Sequence, residues 1–338
     1  MLSRRQIFRS GLAALPLASG VLPRPGLAQG SQGGDAWPSR PIRIVVAWAP
    51  GGAVDTIARR LAPKLSESLG RPVIVENKSG ATGTIGAADV ARATPDGHTL
   101  LAMDNTYAML PYLFQRLPFD HANAFRPVTV TAFSPVMIAV HRDAPWRDLA
   151  SLIAAAKREP EKITYGTGGI GSAPHFATAA FAQAASIQML HVPFRGAGDA
   201  VTNVLSRQVD VVMVSLGSAL GHVQGGMLRV LAMSGTQRTP VLPEVPTFKE
   251  AGLANFGPNG EGVVNWSGLA APARTPDAVV KRLHADVAKA LEAQDMRDFL
   301  ASLASEPGGM PPDAFAALLA EETARWRVVA ETSGIERQ

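Results

Sequence analysis

The sequence predicts an α/β protein of two domains, each a mainly parallel sheet flanked by helices. Strand-length apolar runs alternate with helical patterns along most of the chain, and these runs are apolar on both faces, as in parallel sheets covered by helices. About 310 residues remain after a predicted N-terminal export signal, which is more than one hydrophobic core usually supports. Two domains are therefore expected.

The first 28 residues have the composition of an export signal. Residues 1–9 are basic, residues 11–22 form a short, weakly polar run, and Gly26-Leu27-Ala28 offers small residues for cleavage near Ala28. Ser3-Arg4-Arg5-Gln6-Ile7-Phe8 resembles a twin-arginine signal, the alternative being an ordinary Sec signal with two chance arginines. Both alternatives predict a periplasmic protein. Residues 29–36 are expected to form a disordered lead-in.

The export signal accounts for the excess positive charge of the chain. The whole sequence has 32 Lys and Arg against 28 Asp and Glu, a formal net charge of +4. Four of the arginines and none of the acids precede residue 29, so the mature chain is neutral and gives no indication of nucleic-acid binding. The absence of cysteine excludes disulfides, thiolate metal sites, thiol nucleophiles and a lipoprotein anchor.

Apolar periodicity predicts the individual elements. Strands are predicted at 42–47, 73–76, 99–103, 128–131 running into 136–140, 163–165, 189–192, 209–214, 228–233 and 268–270. Helices are predicted between most of them, at 53–69, 87–93, 149–158, 175–185, 200–207 and 218–225. The tail predicts three helices without strands, from Thr275-Pro276-Asp277 onward and at 296–303 and 312–329, which would cap the first domain.

Two predicted strands are candidates for the connections between the domains, 136–140 and 228–233. With hinges at these strands, the first domain comprises residues 37–135 and 232–338, and the second comprises residues 136–231. Closure of the two domains about such hinges would enclose a ligand.

Turns rich in glycine or small polar residues follow six of the predicted strands. They are Pro50-Gly51-Gly52, 77–84, Asp104-Asn105-Thr106, 166–172, 194–199 and 215–218. The carboxyl ends of parallel strands meet at one edge of a sheet, where ligands bind. The first turn also opens a helix, whose unpaired N–H groups and dipole attract an anion. One such turn alone is ordinary in an α/β protein, but the set predicts a cleft for a small anion.

Sequence patterns for a cofactor site or a catalytic site are weaker than the pattern of turns. Gly166, Gly168 and Gly171 match the dinucleotide fingerprint, but the acid expected about 20 residues later is missing, so no cofactor is predicted. The seven histidines show no metal-ligand spacing. Ser172 and His175 lie three residues apart at a helix start, yet without a recognisable acid partner they are interpreted as polar lining of the cleft. No catalytic residue and no metal site are predicted.

Two charged residues have open interpretations. Arg195 is either a clamp for a carboxylate or a surface arginine in a turn. Asp55 either orients the first loop, contacts a hydroxyl or amine of a ligand, or serves the helix dipole.

Several segments together resemble the Bug family, the substrate-binding proteins of tripartite tricarboxylate transporters, also called the TctC type. The resemblance extends from about Trp37 to Ile335 and rests on segments in the order in which the family has them. They are Ala49-Pro50-Gly51-Gly52 with Asp55 and Arg59, Val75-Glu76-Asn77-Lys78 through Gly80 and Gly83, Pro95-Asp96-Gly97-His98-Thr99-Leu100, Tyr165-Gly166-Thr167-Gly168 with Gly171-Ser172 and His175, His191-Val192-Pro193-Phe194-Arg195-Gly196, Pro243-Glu244-Val245-Pro246-Thr247 with Glu250-Ala251-Gly252, and Trp266-Ser267-Gly268-Leu269 with Pro272.

The resemblance implies a two-domain periplasmic binding protein, type II-like, that closes on a small carboxylate and performs no chemistry. It implies delivery of an organic acid, dicarboxylate or acidic amino acid to the membrane subunits of a tripartite tricarboxylate-type transporter, or to a sensor protein, by a monomer. Together with the turns it gives the predicted ligand-binding residues: Gly51, Gly52, Asp55, Gly80, Ala81, Gly83, Asn105, Thr106, Gly168, Ser172, His175, Arg195, Gly196 and Ser215.

The sequence departs from the family pattern at several positions: His98, Ser79, Thr82, Arg195 and Val214-Ser215. The last two bear on which end of a ligand is recognised, so the ligand itself is not predicted. Two other classes remain alternatives. They are an exported hydrolase or isomerase acting on a carboxylate, and a periplasmic interaction protein without a ligand.

Overall fold

The computed structural model describes residues 37–257, 261–332 and 337. The predicted signal peptide and lead-in, residues 1–36, lie outside the described residues. The chain from Trp37 onward belongs to one unit.

Ten strands form one continuous, branched sheet. They are β1 (Ile42–Val46), β2 (Val73–Asn77), β3 (Thr99–Asp104), β4 (Phe125–His141), β5 (Thr164–Thr167), β6 (Leu190–Pro193), β7 (Val211–Ser215), β8 (Leu228–Met233), β9 (Val264–Pro272) and β10 (Glu306–Pro307).

Ten α-helices cover this sheet in the described part of the chain. They are α1 (Ala53–Leu69), α2 (Thr84–Ala91), α3 (Thr106–Leu113), α4 (Leu149–Arg158), α5 (Ala173–Ala185), α6 (Ala197–Leu205), α7 (Leu220–Gln224), α8 (Asp277–Glu292), α9 (Gln294–Ser302) and α10 (Pro312–Thr332).

The long strand β4 belongs to both halves of the sheet. Up to Pro135 it pairs antiparallel with β9, and from Val136 it pairs antiparallel with β7, and with β8 from Met137. We define lobe 1 by the strand order β2-β1-β3-β9-β4 and lobe 2 by the order β4-β7-β5-β6 with β8. The outer strands of each lobe are parallel, as predicted, while β4 and β9 join them antiparallel.

Local sequence explains the elements that carry the loops of lobe 1. The strand β1 is almost wholly buried because helices cover both of its faces. The helix α1 buries the residues at three- and four-residue spacing, Ile57, Leu61 and Leu65 among them, and ends at Gly70 in the left-handed conformation. These elements place the glycine turn between them at the carboxyl edge of the sheet.

The structure differs from the sequence prediction at several elements. The runs 128–131 and 136–140 are parts of the single strand β4, and the third turn leads into the unpredicted helix α3. The predicted helix 218–225 is a 3-10 turn, Leu216–Ser218, followed by the short α7. The tail is not free of strands, because β10 pairs with β4.

The last helix contacts both lobes instead of capping lobe 1 alone. The Tyr112 hydroxyl of α3 donates to the Thr323 carbonyl of α10 (2.7 Å). On the other side, the ring of Phe176 from α5 meets Trp326 of α10 edge-on, at 5.6 Å between centroids. Phe176 and Trp326 belong to a buried apolar cluster that includes residues of both lobes, and Tyr112 packs against it.

Candidate ligand-binding cleft

The carboxyl ends of the strands of both lobes meet at the middle of β4. The last residue of β7, Ser215, pairs with Val136 of β4. The last residue of β3, Asp104, pairs with Ser267 of β9, which in turn pairs with Ala132 of β4. The end of β3 is thus level with Ala132 of β4, and the end of β7 is level with Val136. At about 3.3 Å per residue, these two points on β4 are only about 13 Å apart. The loops that follow the strands therefore gather around one junction.

The first loop, between β1 and α1, is held in shape by Asp55. The Asp55 carboxylate accepts hydrogen bonds from Gly51 N–H (2.9 Å), Asn77 Nδ2 (2.8 Å) and Arg59 Nε (3.0 Å). Burial alone would raise the pKa of Asp55, but the bonds from Arg59, Gly51 and Asn77 hold it below the usual value. Gly51 lies at a φ of 88°, a backbone conformation that favours glycine because glycine has no side chain.

The N–H groups after Gly51 have no partner within the helix. The first helical bond runs from Thr56 N–H to Gly52 O (2.9 Å), and no side chain caps α1. The N–H groups of Gly52, Ala53 and Val54 therefore lie at the positive end of a 17-residue helix. Such a helix start is suited to an anion.

The second loop has an unusual backbone. Gly80, Ala81, Thr82 and Gly83 follow one another with φ values of 128°, 43°, 53° and 86°. Ala81 and Thr82 carry side chains in the left-handed region, so the loop is strained. The Thr84 hydroxyl donates to Ala81 O (2.9 Å) and helps to hold the turn. Strain of this kind is often found where the backbone is shaped around a ligand.

The third loop connects β3 to α3 and reaches β9. Asn105 is buried, and its Nδ2 donates to Asn265 Oδ1 (3.1 Å). The buried Thr106 donates its N–H to Asp104 Oδ1 (3.0 Å). No local pattern could identify Asn265, because it is 160 residues from Asn105 and reaches the cleft only through the pairing of β9 with β3.

In lobe 2, two stacked histidines support the loop between β5 and α5. The rings of His175 and His191 are 4.0 Å apart and nearly parallel, and Tyr165 stacks on His191 at 4.9 Å. His175 Nδ1 accepts the Gly171 N–H (3.1 Å), and His191 Nε2 bonds to the Thr167 hydroxyl (2.7 Å). Burial, with the neighbouring His191, lowers the pKa of His175 to about 3, and burial lowers that of His191 to about 4. Both rings are thus neutral at pH 7.

The next loop of lobe 2 packs directly on this one. A β-carbon on Gly168 would lie 3.1 Å from the Ala197 nitrogen and 3.3 Å from Gly196 Cα, so the two loops approach through glycine. The helix α6 starts after Gly196 without a side-chain cap, and Arg195 is exposed in the same loop. A cation beside an uncapped helix start favours an anion.

One glycine brings the loops of the two lobes together. Gly171 has a φ of 78°, and a β-carbon on it would lie 2.6 Å from the Leu113 side chain of α3. The β5–α5 loop of lobe 2 therefore rests against the helix that starts at the third loop of lobe 1.

The predicted site residues form two groups along this junction. Those of lobe 1 are Gly51, Gly52, Asp55, Gly80, Ala81, Gly83, Asn105 and Thr106, and those of lobe 2 are Gly168, Ser172, His175, Arg195, Gly196 and Ser215. Several of them make contacts within the protein: the Ser172 hydroxyl donates to Gly169 O (2.8 Å), and the Ser215 hydroxyl bonds to that of Ser218 (2.8 Å). Their direct contact with a ligand stays a prediction.

Sequence reasoning did not select four residues of the cleft: Asp104, Asn265, Thr167 and His191. Asp104 stood within the third turn, but nothing in the sequence indicated its surroundings. It is partly buried, and burial raises its pKa to about 6 against the opposing hydrogen bonds from Thr106 and Trp48. With Trp48, Thr82 and Tyr107 it lines a small cavity.

This fold and this cleft define a two-domain solute-binding protein. Two α/β lobes share the long strand β4, and both carry helix starts and glycine loops at the carboxyl ends of their parallel strands. Within residues 37–257 and 261–332, no three His, Asp or Glu side chains are close enough to hold a metal ion. Over the same ranges no helix is long and apolar enough to cross a bilayer.

Comparison with known proteins gives the family. The model of the tripartite tricarboxylate transporter family receptor, TctC, matches residues 57–335, and the chain belongs to this family. A UPF0065 protein from the tcbD-tcbE intergenic region of Pseudomonas sp. strain P51 is 39% identical over 294 residues, covering 87% of this chain and 86% of the relative.

Solved structures agree with this assignment. A Rhodopseudomonas palustris protein with adipate superposes with a TM-score of 0.81 at 30% identity, covering 89% of this chain and 100% of the other. MatC from Rhodopseudomonas palustris, with bound malate, superposes with a TM-score of 0.78 at 31% identity, covering 87% of this chain and 99% of the other. The expected class, a two-domain periplasmic binding protein fold, is thereby confirmed.

Proposed function

We propose that the chain is an exported receptor whose two lobes close on a small carboxylate and deliver it to a membrane transporter. The observation that carries this proposal is the set of helix starts without a side-chain cap, those of α1, α5 and α6, which follow the carboxyl ends of β1 in lobe 1 and of β5 and β6 in lobe 2. Backbone N–H groups at the positive ends of helices bind carboxylates without a charged partner.

The ligand class is supported by relatives of the same fold. The two Rhodopseudomonas palustris proteins were solved with adipate and with malate, which are both small carboxylates. In this chain the fourteen predicted residues named above would line the cleft. Asp55, His175 and Ser172 would act mainly by fixing the loops, because their polar atoms already bond within the protein.

The cleft is proposed to bind without turnover. The Ser172 hydroxyl donates to a backbone carbonyl, and His175 Nδ1 accepts a backbone N–H. Both groups are thus engaged in holding the loop, which favours binding over a nucleophile–base pair. The rival function is an exported hydrolase or isomerase acting on a carboxylate.

Export and closure complete the proposal. Residues 1–28 would direct the protein to the periplasm, with cleavage near Ala28. Closure would bend the chain near Pro135 and Val136 of β4 and in the segment that follows β8, because β4 changes its partner at that point. The proposed domains are residues 37–135 with 232–338, and 136–231. The closed monomer would dock on the membrane subunits of a tripartite tricarboxylate-type transporter, or on a sensor protein.

Thermal unfolding with and without acids tests the proposal. The exported protein is freed of bound ligand by unfolding and refolding, and is then heated with mono- and dicarboxylates and with their methyl esters. A ligand at a hundredfold excess over its Kd should raise the free energy of unfolding by about 2.7 kcal/mol, and the matching ester should not. Ester turnover together with no stabilisation by any acid would contradict the proposal.

A matched pair of glycine variants locates the site. Gly52 has an ordinary φ of −73°, and a β-carbon on it would meet no atom closer than 3.9 Å, so Gly52→Val should fold but lose the stabilisation by acids. Gly221→Val, in open space on α7, should keep it. Equal stabilisation of both variants by acids would show that the first loop is not part of the binding site.

A further inference from the structure

Two aspartates, Asp55 and Asp104, lie near the ends of neighbouring strands, and their surroundings shift their pKa values in opposite directions. β1 and β3 pair in parallel, so Asp55 after β1 and Asp104 at the end of β3 share one edge of the sheet. Asp55 has a guanidinium partner and two further donors, and its pKa is lowered. Asp104 Oδ1 accepts the Thr106 N–H (3.0 Å), its carboxylate pairs with no Lys, Arg or His of the described residues, and burial raises its pKa to about 6.

Asp104 lines a small cavity that also reaches the first and second ligand loops. Its other lining residues are Trp48 of the first loop, Thr82 and Gly83 of the second, Thr106 and Tyr107 of α3, and the apolar residues Ala47, Ala87, Leu101, Met103 and Leu110. A carboxylate has about four acceptor positions, and within the described residues the geometry resolves one hydrogen bond to Asp104, from Thr106 N–H to Oδ1 (3.0 Å). A carboxylate withdrawn from water without a full set of donors is unfavourable.

We propose that Asp104 is a specificity-determining residue, which binds a hydrogen-bond donor that the ligand carries besides its carboxylate. This inference rests on the proposed function, since the carboxylate itself is held at the helix starts. The donor is an ammonium or a hydroxyl group, and both supply what the Asp104 carboxylate lacks. A second, plain carboxylate at this position would be repelled by Asp104.

The Thr106 N–H contact alone would give Asp104 only a local role at the start of α3, one residue before the N-cap Asn105. Capping needs only one carboxylate oxygen, and in α4 the cap Asp148 fills that role at the surface, with its Oδ1 accepting Ser151 N–H (2.7 Å). Asp104 differs from Asp148 because it also lines a cavity to which Trp48 of the first loop and Thr82 and Gly83 of the second contribute. Asp148→Asn is therefore the matched control for a capping aspartate.

Calorimetric titration with matched acids tests the role of Asp104. For each chain length the ligand-free protein is titrated with a plain acid, its hydroxy form and its amino form: succinate, malate and aspartate, then glutarate, 2-hydroxyglutarate and glutamate, then adipate, 2-hydroxyadipate and 2-aminoadipate. Wild type should bind one donor-bearing form at least about tenfold more tightly than the plain acid of the same length.

Substitutions at Asp104 separate the two donors. Asp104→Asn keeps an acceptor oxygen but removes the charge, so a preference for the ammonium should fall to within about twofold, and a preference for the hydroxyl should survive. Asp104→Leu, or the smaller Asp104→Ala if Leu prevents folding, should abolish either preference. Asp148→Asn should leave the preference unchanged. Circular dichroism and thermal unfolding verify that each variant is folded.

The outcomes distinguish this inference from the proposed function. If plain acids bind as tightly as their donor-bearing partners at every length, or if the preference persists in Asp104→Leu or Asp104→Ala, the role of Asp104 is wrong and the carboxylate receptor stands. If no acid of any kind binds, the proposed function falls, and the role of Asp104 falls with it.

Discussion

The carboxylate of Asp55 collects donors from three parts of the chain: the first loop, the helix α1 and the end of β2. Its side chain is almost fully buried, while that of Arg59 is about half exposed. The Arg59 charge is therefore partly screened by water, and the structural value of Asp55 lies mainly in the N–H groups that it satisfies.

Asp55→Ala should destabilise the protein by about 3 kcal/mol, because Gly51 N–H and Asn77 Nδ2 lose their buried acceptor. Binding of acids should weaken as well, since the first loop loses its anchor. Urea unfolding monitored by circular dichroism measures the first effect. Asp277→Ala is the control, because that side chain is 75% exposed and pairs with Arg126 at the surface. A loss no greater than that of the control would show that Asp55 does not hold the loop.

Sequence alone identified Asp55 but did not choose among its roles. An acid in the first turn of a helix is a local signal, whereas its partner Asn77 comes from a neighbouring strand. Asp104 and Asn265 gave no such signal. The surroundings of Asp104 depend on Trp48 and Tyr107, and those of Asn265 on strand pairing, so the role of each requires the folded chain.

At the scale of elements, the β5–α5 loop depends on a neutral pair of histidines. Protonation of His175 at Nδ1 would replace the acceptor of the Gly171 N–H with a second donor. Because the folded-state pKa values of His175 and His191 are about 3 and about 4, well below the ordinary value, acid favours the unfolded chain.

Stability should therefore fall as the pH decreases from about 6.5 toward 4. The unfolded chain binds protons there and the folded chain does not, so His175 alone should cost about 2 kcal/mol at pH 5. Urea midpoints measured across this range test the expectation. The double variant His175→Gln/His191→Gln should be less stable at pH 7 but should show a flatter pH dependence. An unchanged slope between pH 6.5 and pH 4 would contradict the assignment.

Elements with strong local signals could be predicted from the sequence, and others could not. The bounds of α1 and α4 agree with the prediction because their apolar spacing is regular and their ends carry a glycine or a capping aspartate. The helix α3 was missed because it contains Pro111 and lacks a polar face. The prediction had 128–131 running into 136–140 but did not include Phe133-Ser134-Pro135 in a strand, since these residues interrupt the apolar pattern although they pair with β9.

At the scale of the whole molecule, the strand β4 links the two lobes and sets the level of the cleft. The loops of lobe 1 and lobe 2 come from residues far apart in sequence, yet both sets are level with Ala132–Val136 through antiparallel pairing. The sequence could predict that six turns share a function, because all follow strands. It could not predict how the lobes approach, for example through Gly171 and Leu113.

Mass spectrometry of the ligand carried through purification tests the central claim most directly. The exported protein is purified without added acids, and the small molecules released on unfolding are compared with those from Gly52→Val. Wild type is expected to release a small acid that gains a methyl group for each carboxyl on esterification, while Gly52→Val should release much less of it. A released molecule without a carboxyl group, or equal amounts from both proteins, would contradict a carboxylate receptor built on the first loop.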